Sequence, residues 1–501
     1  MSHLVVLPLI LPALLGPVLV LLRGNLGVQR VLSLAGTVAL AAVALGLVSV
    51  AADGTIVVYE MGNWPAPFGI VMVLDRLSAL MVAMTGLLAV AVLLYVIGTD
   101  WDQRGAHFHP LYQFQLFGLC GAMLTSDAFN LFVFFEVLLI ASYGLMVHGG
   151  GRLRLQAGTQ YVIYNLAGST LFVFALAVVY AVFGTLNMAD IAAKAATLPD
   201  TDAALVRTAA VMLLLVFALK GALLPLHFWL PNTYAHAPAP VAALFAVMTK
   251  VGAYAIIRMF TLAFGPSLAL TGTLPGQIVL VGALITTVVG MVGVLAGGSL
   301  ARVAAFAGIG SMGTLFIAVA PFTEVAMGAA LYYMVHSTLA AAMIFLVVDM
   351  VQARRGTCAL ELRGVIAQSG LIASLYFFAA IAMAGMPPLS GFLGKLLVLD
   401  GVRDTSTWVW SWAIILGGSL IVIMGLARAG SIVFWKAHAV PADDAPADAP
   451  ARALALGGVG LLALLIIAMT LGAGPVSAYL DATATQLFTP AEYIAAVLRS
   501  E

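Results

Sequence analysis

The stretch Phe217-Ala-Leu-Lys220-Gly221-Ala-Leu-Leu-Pro225-Leu-His227-Phe-Trp-Leu-Pro231 sets a lysine and two prolines inside an otherwise apolar run. Pro225 has no N–H, and its ring clashes with the carbonyl four residues back, which is that of Gly221. A helix through this segment therefore breaks just after Lys220 and leaves carbonyls free beside the ammonium. The surrounding window, 206–231, is long enough for a bilayer span, which needs roughly 20 apolar residues. An ionised side chain at mid-bilayer costs roughly 2.5–3.5 kcal/mol on insertion scales. Broken helices beside a charge are how many transporters build mid-membrane ion sites. The competing reading is a packing kink with an incidental lysine.

The rest of the chain fits a membrane setting. Of its 501 residues, 63% are hydrophobic and 8% charged, whereas globular proteins are about half apolar and about a quarter charged. So few charges could not cover a water-soluble fold of this size. Lys+Arg and Asp+Glu balance at 21 each, so no net field points to nucleic acid. Cys120 and Cys358 form neither a disulfide framework nor a zinc motif. Apolar windows fall near 3–22, 31–51, 71–98, 111–125, 128–148, 157–183, 206–231, 239–264, 276–296, 302–320, 325–350, 369–399, 408–434 and 454–474. The first of them follows Met1 with no basic region or cleavage site and reads as a span, not a signal peptide. The expectation is an all-α integral membrane domain over 1–475 with about fourteen transmembrane helices.

An even number of spans places both termini on one side. Loops on one face carry Arg23, Arg30, Arg104, Arg152, Arg154, Arg302, Arg354, Arg355, Arg363, Lys436 and Arg452; the other carries Lys194, Arg207, Arg403 and Arg499. The excess of basic residues marks the first face as cytoplasmic and puts both termini outside. The segment 436–452, rich in Pro, Ala and Asp, reads as a flexible cytoplasmic loop. The tail 476–501 reads as extramembrane with one short helix. Its signals are Pro490 at the first helical position, capping-box spacing of Thr489 and Glu492, and Phe488 with Tyr493 as a staple.

A second interruption lies in Ala384-Gly385-Met386-Pro387-Pro388-Leu-Ser390-Gly391-Phe-Leu-Gly394-Lys395. Here the lysine follows Pro388 by about two helical turns. The two broken spans are the seventh and the twelfth windows. A repeat of five helices is odd, so the second copy crosses the membrane inverted, as in many secondary transporters. This gives repeats at about 111–264 and 276–434, each with one discontinuous helix.

Three further titratable groups lie well inside spans. Glu136 sits in Asn130-Leu-Phe-Val-Phe-Phe-Glu136-Val-Leu-Leu-Ile, and Lys250 in Ala246-Val-Met-Thr249-Lys250-Val-Gly252-Ala-Tyr254. Tyr254 and Arg258 share the helical face of Lys250. His336, in Tyr332-Tyr333-Met-Val-His336-Ser337-Thr338, suits proton relay because an imidazole titrates near neutrality. The bland alternatives are a neutral packed carboxyl for Glu136 and a helix-contact histidine for His336. Arg258 and Arg428 lie near helix ends, where their side chains would snorkel to the interface. No GxGxxG, GxxxxGK[ST] or haem motif is present. His227 and His236 lack a nearby carboxylate or thiol and read as shaping the broken helix. Neither metal nor cofactor is expected.

These residues resemble the proton-pumping, antiporter-like membrane subunits shared by respiratory complex I and Mrp-type cation/proton antiporters. The resemblance covers nearly the whole chain. Its most specific part runs from Lys220 to Arg258, and Arg302-Val-Ala-Ala-Phe-Ala-Gly-Ile-Gly-Ser-Met-Gly and Gly385–Lys395 agree with it. The stretch Asp127-Ala-Phe-Asn-Leu-Phe-Val-Phe-Phe-Glu136-Val-Leu-Leu-Ile-Ala-Ser-Tyr is most similar to the D subunit of Mrp antiporters. The resemblance implies a mid-membrane ion pair of Glu136 and Lys220, lateral relay through Lys250 and His336, and an exit gated by Lys395. Gly221, Pro225, His227, Pro387, Pro388 and Tyr254 would support that path. Two departures stand out. Ala340 and Ala341 occupy positions where relatives often carry a lysine, and the second repeat has no acid matching Glu136.

The implied function is a non-enzymatic, proton-translocating subunit of a multisubunit antiporter in a bacterial plasma membrane. It would exchange Na⁺ or another monovalent cation for protons, with other membrane subunits as partners. The alternatives are a pumping subunit of a complex I or membrane-bound hydrogenase type enzyme, and a scaffold with incidental charges.

Overall fold

The computed structural model describes residues 2–440 and 452–499. Helix α1 (Ser2–Leu21) turns into α2 (Leu26–Ala51) at Asn25, whose side chain accepts from Val28 N at 3.1 Å. A two-stranded antiparallel hairpin follows, β1 (Val57–Glu60) paired with β2 (Val71–Leu74). Four residues of the expected 71–98 span are thus strand. The helix α3 (Arg76–Gly98) starts only at Asp75, where reciprocal bonds with Ser78 close a capping box.

The chain continues through α4 (Phe108–Leu124), α5 (Ala128–Met146), α6 (Arg152–Phe183), the short α7 (Met188–Ala195) and α8 (Ala203–Lys220). After the first break come α9 (Trp229–His236), α10 (Ala239–Phe245) and α11 (Met248–Leu262). Next are α12 (Leu274–Ala296), α13 (Leu300–Val319), α14 (Glu324–Arg355) and α15 (Ser369–Ala384). The second break leads to α16 (Ser390–Gly401), α17 (Trp408–Gly430), α18 (Ala453–Leu471), α19 (Ala473–Leu487) and α20 (Pro490–Leu498).

Among the described residues, 12 helices are long and apolar enough to cross a membrane. Two of the fourteen expected windows do not reach that length. Helix α4 has 17 residues, and 369–399 is divided by its break into α15 and α16. Helix α14 is the hub: it packs against α10, α13, α15, α16, α18 and α19, and α11 is buried throughout. Around this core, α1, α2, α6, α12, α17 and α18 turn large apolar side chains outward, such as Leu14, Val31, Ile163, Val281, Leu420 and Leu464. In water such a surface would drive association; against lipid tails it carries no penalty.

Contacts between connections sort them into two ends of the bundle. At one end Arg30 holds Asp100 and Asp102, Arg452 pairs with Asp100, Arg154 donates to His236 O, and Leu300 N donates to Cys358 O. At the other, Gln486 and Arg76 bond to each other and to the 52–54 turn, and Arg499 pairs with Glu60. The first is the arginine-rich end.

The C-terminal tail holds two helices where one was expected, because α19 begins at Ala473, before the expected boundary at 475. Pro490 does open α20, but Thr489 makes no capping bond; its hydroxyl donates to Thr485 O at 2.9 Å. Of the expected flexible loop 436–452, Lys436–Ala439 form a single turn of 3₁₀ helix, and 441–451 lie outside the described residues.

Candidate proton and cation path

The first break forms where proline chemistry requires it. Helix α8 ends at Lys220, and the Leu224–Pro225 peptide is cis. The freed backbone groups find partners: Trp229 Nε1 donates to Leu219 O at 2.9 Å, and Leu224 N donates to Thr286 Oγ1 at 2.8 Å. These bonds tie the break to α9 and α12. His227 sits within it, buried, its ring tilted at 38° against that of Phe228, with Nδ1 unpartnered among the described residues. Gly221 faces Phe316, where a Cβ would meet the ring at 2.7 Å. Gly252 of α11 lies so close that a Cβ would come within 2.8 Å of both Lys220 C and Phe217 O. Only glycine lets α11 and the end of α8 approach this far.

Lys220 is buried, and its Nζ donates to Asn165 Oδ1 at 3.1 Å. Glu136 is half-buried on α5, and its Oε1 accepts from the hydroxyl of Ser169. Among the described residues Glu136 and Lys220 form no ion pair, contrary to what the resemblance implies. Asn165 and Ser169 are four residues apart on α6 and so share one of its faces. Helix α6 is therefore the bridge: it binds the acid through Ser169 and the lysine through Asn165, one turn apart. A cavity of about 20 Å³ beside Lys220, lined also by Asn165, Tyr161 and Trp229, has room for about one water molecule.

Lys250 is 2% exposed, and its ammonium has no hydrogen-bond or ion-pair partner among the described residues. Farther along α11, Tyr254 Oη donates to Met123 O at 2.7 Å. Arg258 does not snorkel. It is 3% exposed and grips Asp75 with two bonds of 2.6 and 2.8 Å, its guanidinium lying over the ring of Tyr493. The helix-end position suggested an interfacial arginine, but the β1–β2 hairpin and α20 close over it and Asp75 supplies the counter-charge. Arg428 is exposed, as expected, and reaches Gly297 O at 2.7 Å.

The second break is held by titratable side chains directly. Gly385, at φ 72°, ends α15, and the Pro387–Pro388 peptide is cis. Lys395 Nζ turns back from α16 to donate to Ala384 O at 2.7 Å and to Ser419 Oγ at 2.7 Å. His336 spans the same gap from α14. Its Nε2 lies 3.1 Å from Ala382 O and its Nδ1 2.8 Å from Ser390 Oγ. A carbonyl only accepts, so Nε2 carries the proton, and in the neutral ring Nδ1 accepts from Ser390. His336 is close enough to feel the charges of both Lys395 and Lys250.

The structure thus groups Glu136 with Lys220, and His336 with Lys395, and sets Lys250 between them with no hydrogen bond joining the two groups among the described residues. The sequence reading missed Asn165, Ser169, Ser390 and Ser419. A signal existed for the first two: an amide and a hydroxyl at helical spacing in an apolar span. Among the described residues no cluster of His, Cys, Asp or Glu suits a metal ion.

A nearly all-helical membrane bundle with two lysine-bearing helix breaks defines a class of ion-translocating subunit. The chain belongs to the NADH:quinone oxidoreductase/Mrp antiporter transmembrane family, whose model matches residues 125–422. It is 36% identical to the D subunit of a probable K⁺/H⁺ antiporter of Rhizobium meliloti, covering 99% of this chain and 98% of that one. It is also 36% identical to the D subunit of a Na⁺/H⁺ antiporter of Alkalihalophilus pseudofirmus, over the full length of both. Among solved structures, a chain of the Mrp complex from a Dietzia species superposes with a TM-score of 0.89 at 26% identity, covering 99% of this chain and all of that one.

Proposed function

We propose that this chain is the D subunit of a multisubunit monovalent-cation/proton antiporter, that it is not itself an enzyme, and that it carries the proton step. The reading rests above all on the two helix breaks, each beside a buried lysine held by neutral partners that leave the charge free to change. It is supported by full-length likeness to two proteins named as antiporter D subunits. Their names differ in the cation, K⁺ in one and Na⁺ in the other, so the cation is left open. Other membrane subunits would complete the complex in a bacterial plasma membrane. The arginine-rich end would face the cytoplasm by the positive-inside rule, with both termini outside.

The proposed path runs from Glu136 and Lys220 through Lys250 and His336 to Lys395, across two inverted five-helix units at 111–264 and 276–434. Asn165 cannot neutralise Lys220, whereas Glu136 can if it moves one turn along α6. An adjacent carboxylate favours the charged lysine, and an apolar surrounding favours the neutral one. Displacement of α5 against α6 would therefore load or release a proton. The unpartnered ammonium of Lys250 suits a site that a proton occupies only in passing.

The test is cation-induced dissipation of a proton gradient in everted vesicles of an antiporter-deficient bacterium expressing the whole gene cluster. Collapse on adding Na⁺ or K⁺ is the expected result. No collapse, in a complex verified to be assembled, would favour the second reading: a pumping subunit of a redox enzyme, which the family's breadth supports.

A further inference from the structure

At the arginine-rich end, away from both helix breaks, lies a cavity of about 440 Å³ between α3, α6, α14 and α18. Its charged lining is Arg104, Arg154, Arg354 and Arg452 against Asp100 and Asp349. Arg104 and Arg452 are exposed at its mouth. Asp100 already pairs with Arg30 and Arg452. Asp349, on α14, is different. It is 7% exposed, and among the described residues no arginine forms an ion pair with it. Both of its donors, Tyr95 Oη at 2.8 Å and Trp101 Nε1 at 2.9 Å, bond to Oδ2. Oδ1 has no protein donor among the described residues, in a side chain that lines the cavity.

The pocket accommodates this carboxyl in either protonation state. When it is ionised, Tyr95 donates to it. When it is protonated at Oδ2, the carboxyl can donate to Tyr95 Oη, because that hydroxyl has a second acceptor in Leu346 O at 3.1 Å. Trp101 can only donate, and it serves either form. A carboxylate kept merely as a counter-charge would be gripped by a guanidinium, as Asp75 is by Arg258. The four arginines leave the lining net positive, which repels every free cation by direct Coulomb interaction; a proton offsets that repulsion by forming an O–H bond with the carboxylate, which an alkali cation cannot do.

We propose that Asp349 is a proton-exchange group of the transporter, at the floor of a cytoplasmic vestibule whose arginine rim excludes Na⁺ and K⁺. His336 lies on the same helix, about 20 Å deeper at 1.5 Å per residue. The inference rests on the antiport reading above and on its assignment of the arginine-rich end to the cytoplasm.

Asp349→Asn keeps an acceptor for Tyr95 and Trp101 but cannot bind a proton. In everted vesicles carrying the whole complex, it should slow cation-dependent gradient collapse at least tenfold, with the apparent KM for the cation unchanged. Asp349→Glu should keep transport with a displaced pH profile. A wild-type rate and pH profile in an assembled Asp349→Asn complex overturns the proposal. A second measurement does not require antiport. With Cys358→Ser as background, Asp349→Cys should react with a membrane-impermeant thiosulfonate in everted vesicles and not in right-side-out ones. An anionic reagent should react several-fold faster than a cationic one of similar size. No reaction, or reaction from the opposite side, overturns the vestibule. If the wild-type complex moves no cation, the antiport reading fails by itself, and the labelling still decides the vestibule.

Discussion

The ionisable groups in the bundle differ in what answers them, and the partner, where there is one, sets what its loss should do. Lys220 has one hydrogen bond, to Asn165, and a bond to a charged group contributes about 1.5–3 kcal/mol. Asn165→Leu should therefore slow gradient dissipation by about tenfold or more while the complex still assembles, as vesicle assays would read. An unchanged rate would remove Asn165 from the path. Arg258 and Asp75 are a closed structural pair. Arg258→Ala strands a buried carboxylate and should destabilise the protein by about 3–5 kcal/mol, whereas replacing both residues by apolar ones should recover most of the loss in a detergent melt. Asp102, outside the spans, shows a third pattern. Burial works to raise its pKa, but hydrogen bonds from Arg30 and His109 outweigh it and hold the carboxyl at about 2. An unfolded aspartate titrates near 3.9, so the stability Asp102 contributes is present above that value and lost as pH falls through about 2. Asp102→Asn should lower the melting temperature at neutral pH, with the difference from wild type shrinking in strong acid.

At the scale of elements, the breaks were legible in sequence and their wiring was not. Proline chemistry alone locates the end of α8 at Lys220, because the lost N–H and the ring clash are local. The same local logic finds the gap between α15 and α16. Which side chains answer the freed carbonyls depends on helices distant in sequence: His336 of α14 reaches Ala382 O, and Lys395, which also donates to Ser419 of α17, reaches Ala384 O. The Glu136–Lys220 ion pair that the resemblance implies is likewise replaced by a hydrogen bond between each and α6, at Ser169 and Asn165. Arg258 was misread for a similar reason, since its counter-charge lies 183 positions away. The β1–β2 hairpin was hidden because Val71-Met-Val-Leu is as apolar as the helix it precedes. The close crossing of α11 and α8 gives a prediction of its own. Gly252→Val places atoms where Phe217 O and the Lys220 backbone already stand, and overpacking of this kind costs about 1–3 kcal/mol. A lower melting temperature or poor assembly is expected, and full stability would mean that the break is looser than its geometry implies.

Over the whole molecule, buried α11 and α14 carry Lys250 and His336, and two broken helices on either side carry Lys220 and Lys395. Apolar outer helices insulate this file. Composition and hydropathy periods made the membrane class and most span positions readable, because a bilayer demands roughly 20 apolar residues of each helix that crosses it. The exceptions were elements that meet other demands: α4 is short, and α15 and α16 share one window around a break. The central claim is that protons cross this chain through that file as the antiporter turns over. The most direct test is gradient dissipation by the assembled complex with Lys220→Ala, beside wild type, in the same everted vesicles. The account predicts cation-dependent collapse in wild type and a rate at the level of empty vesicles in the variant. A wild-type rate in a fully assembled Lys220→Ala complex would contradict it.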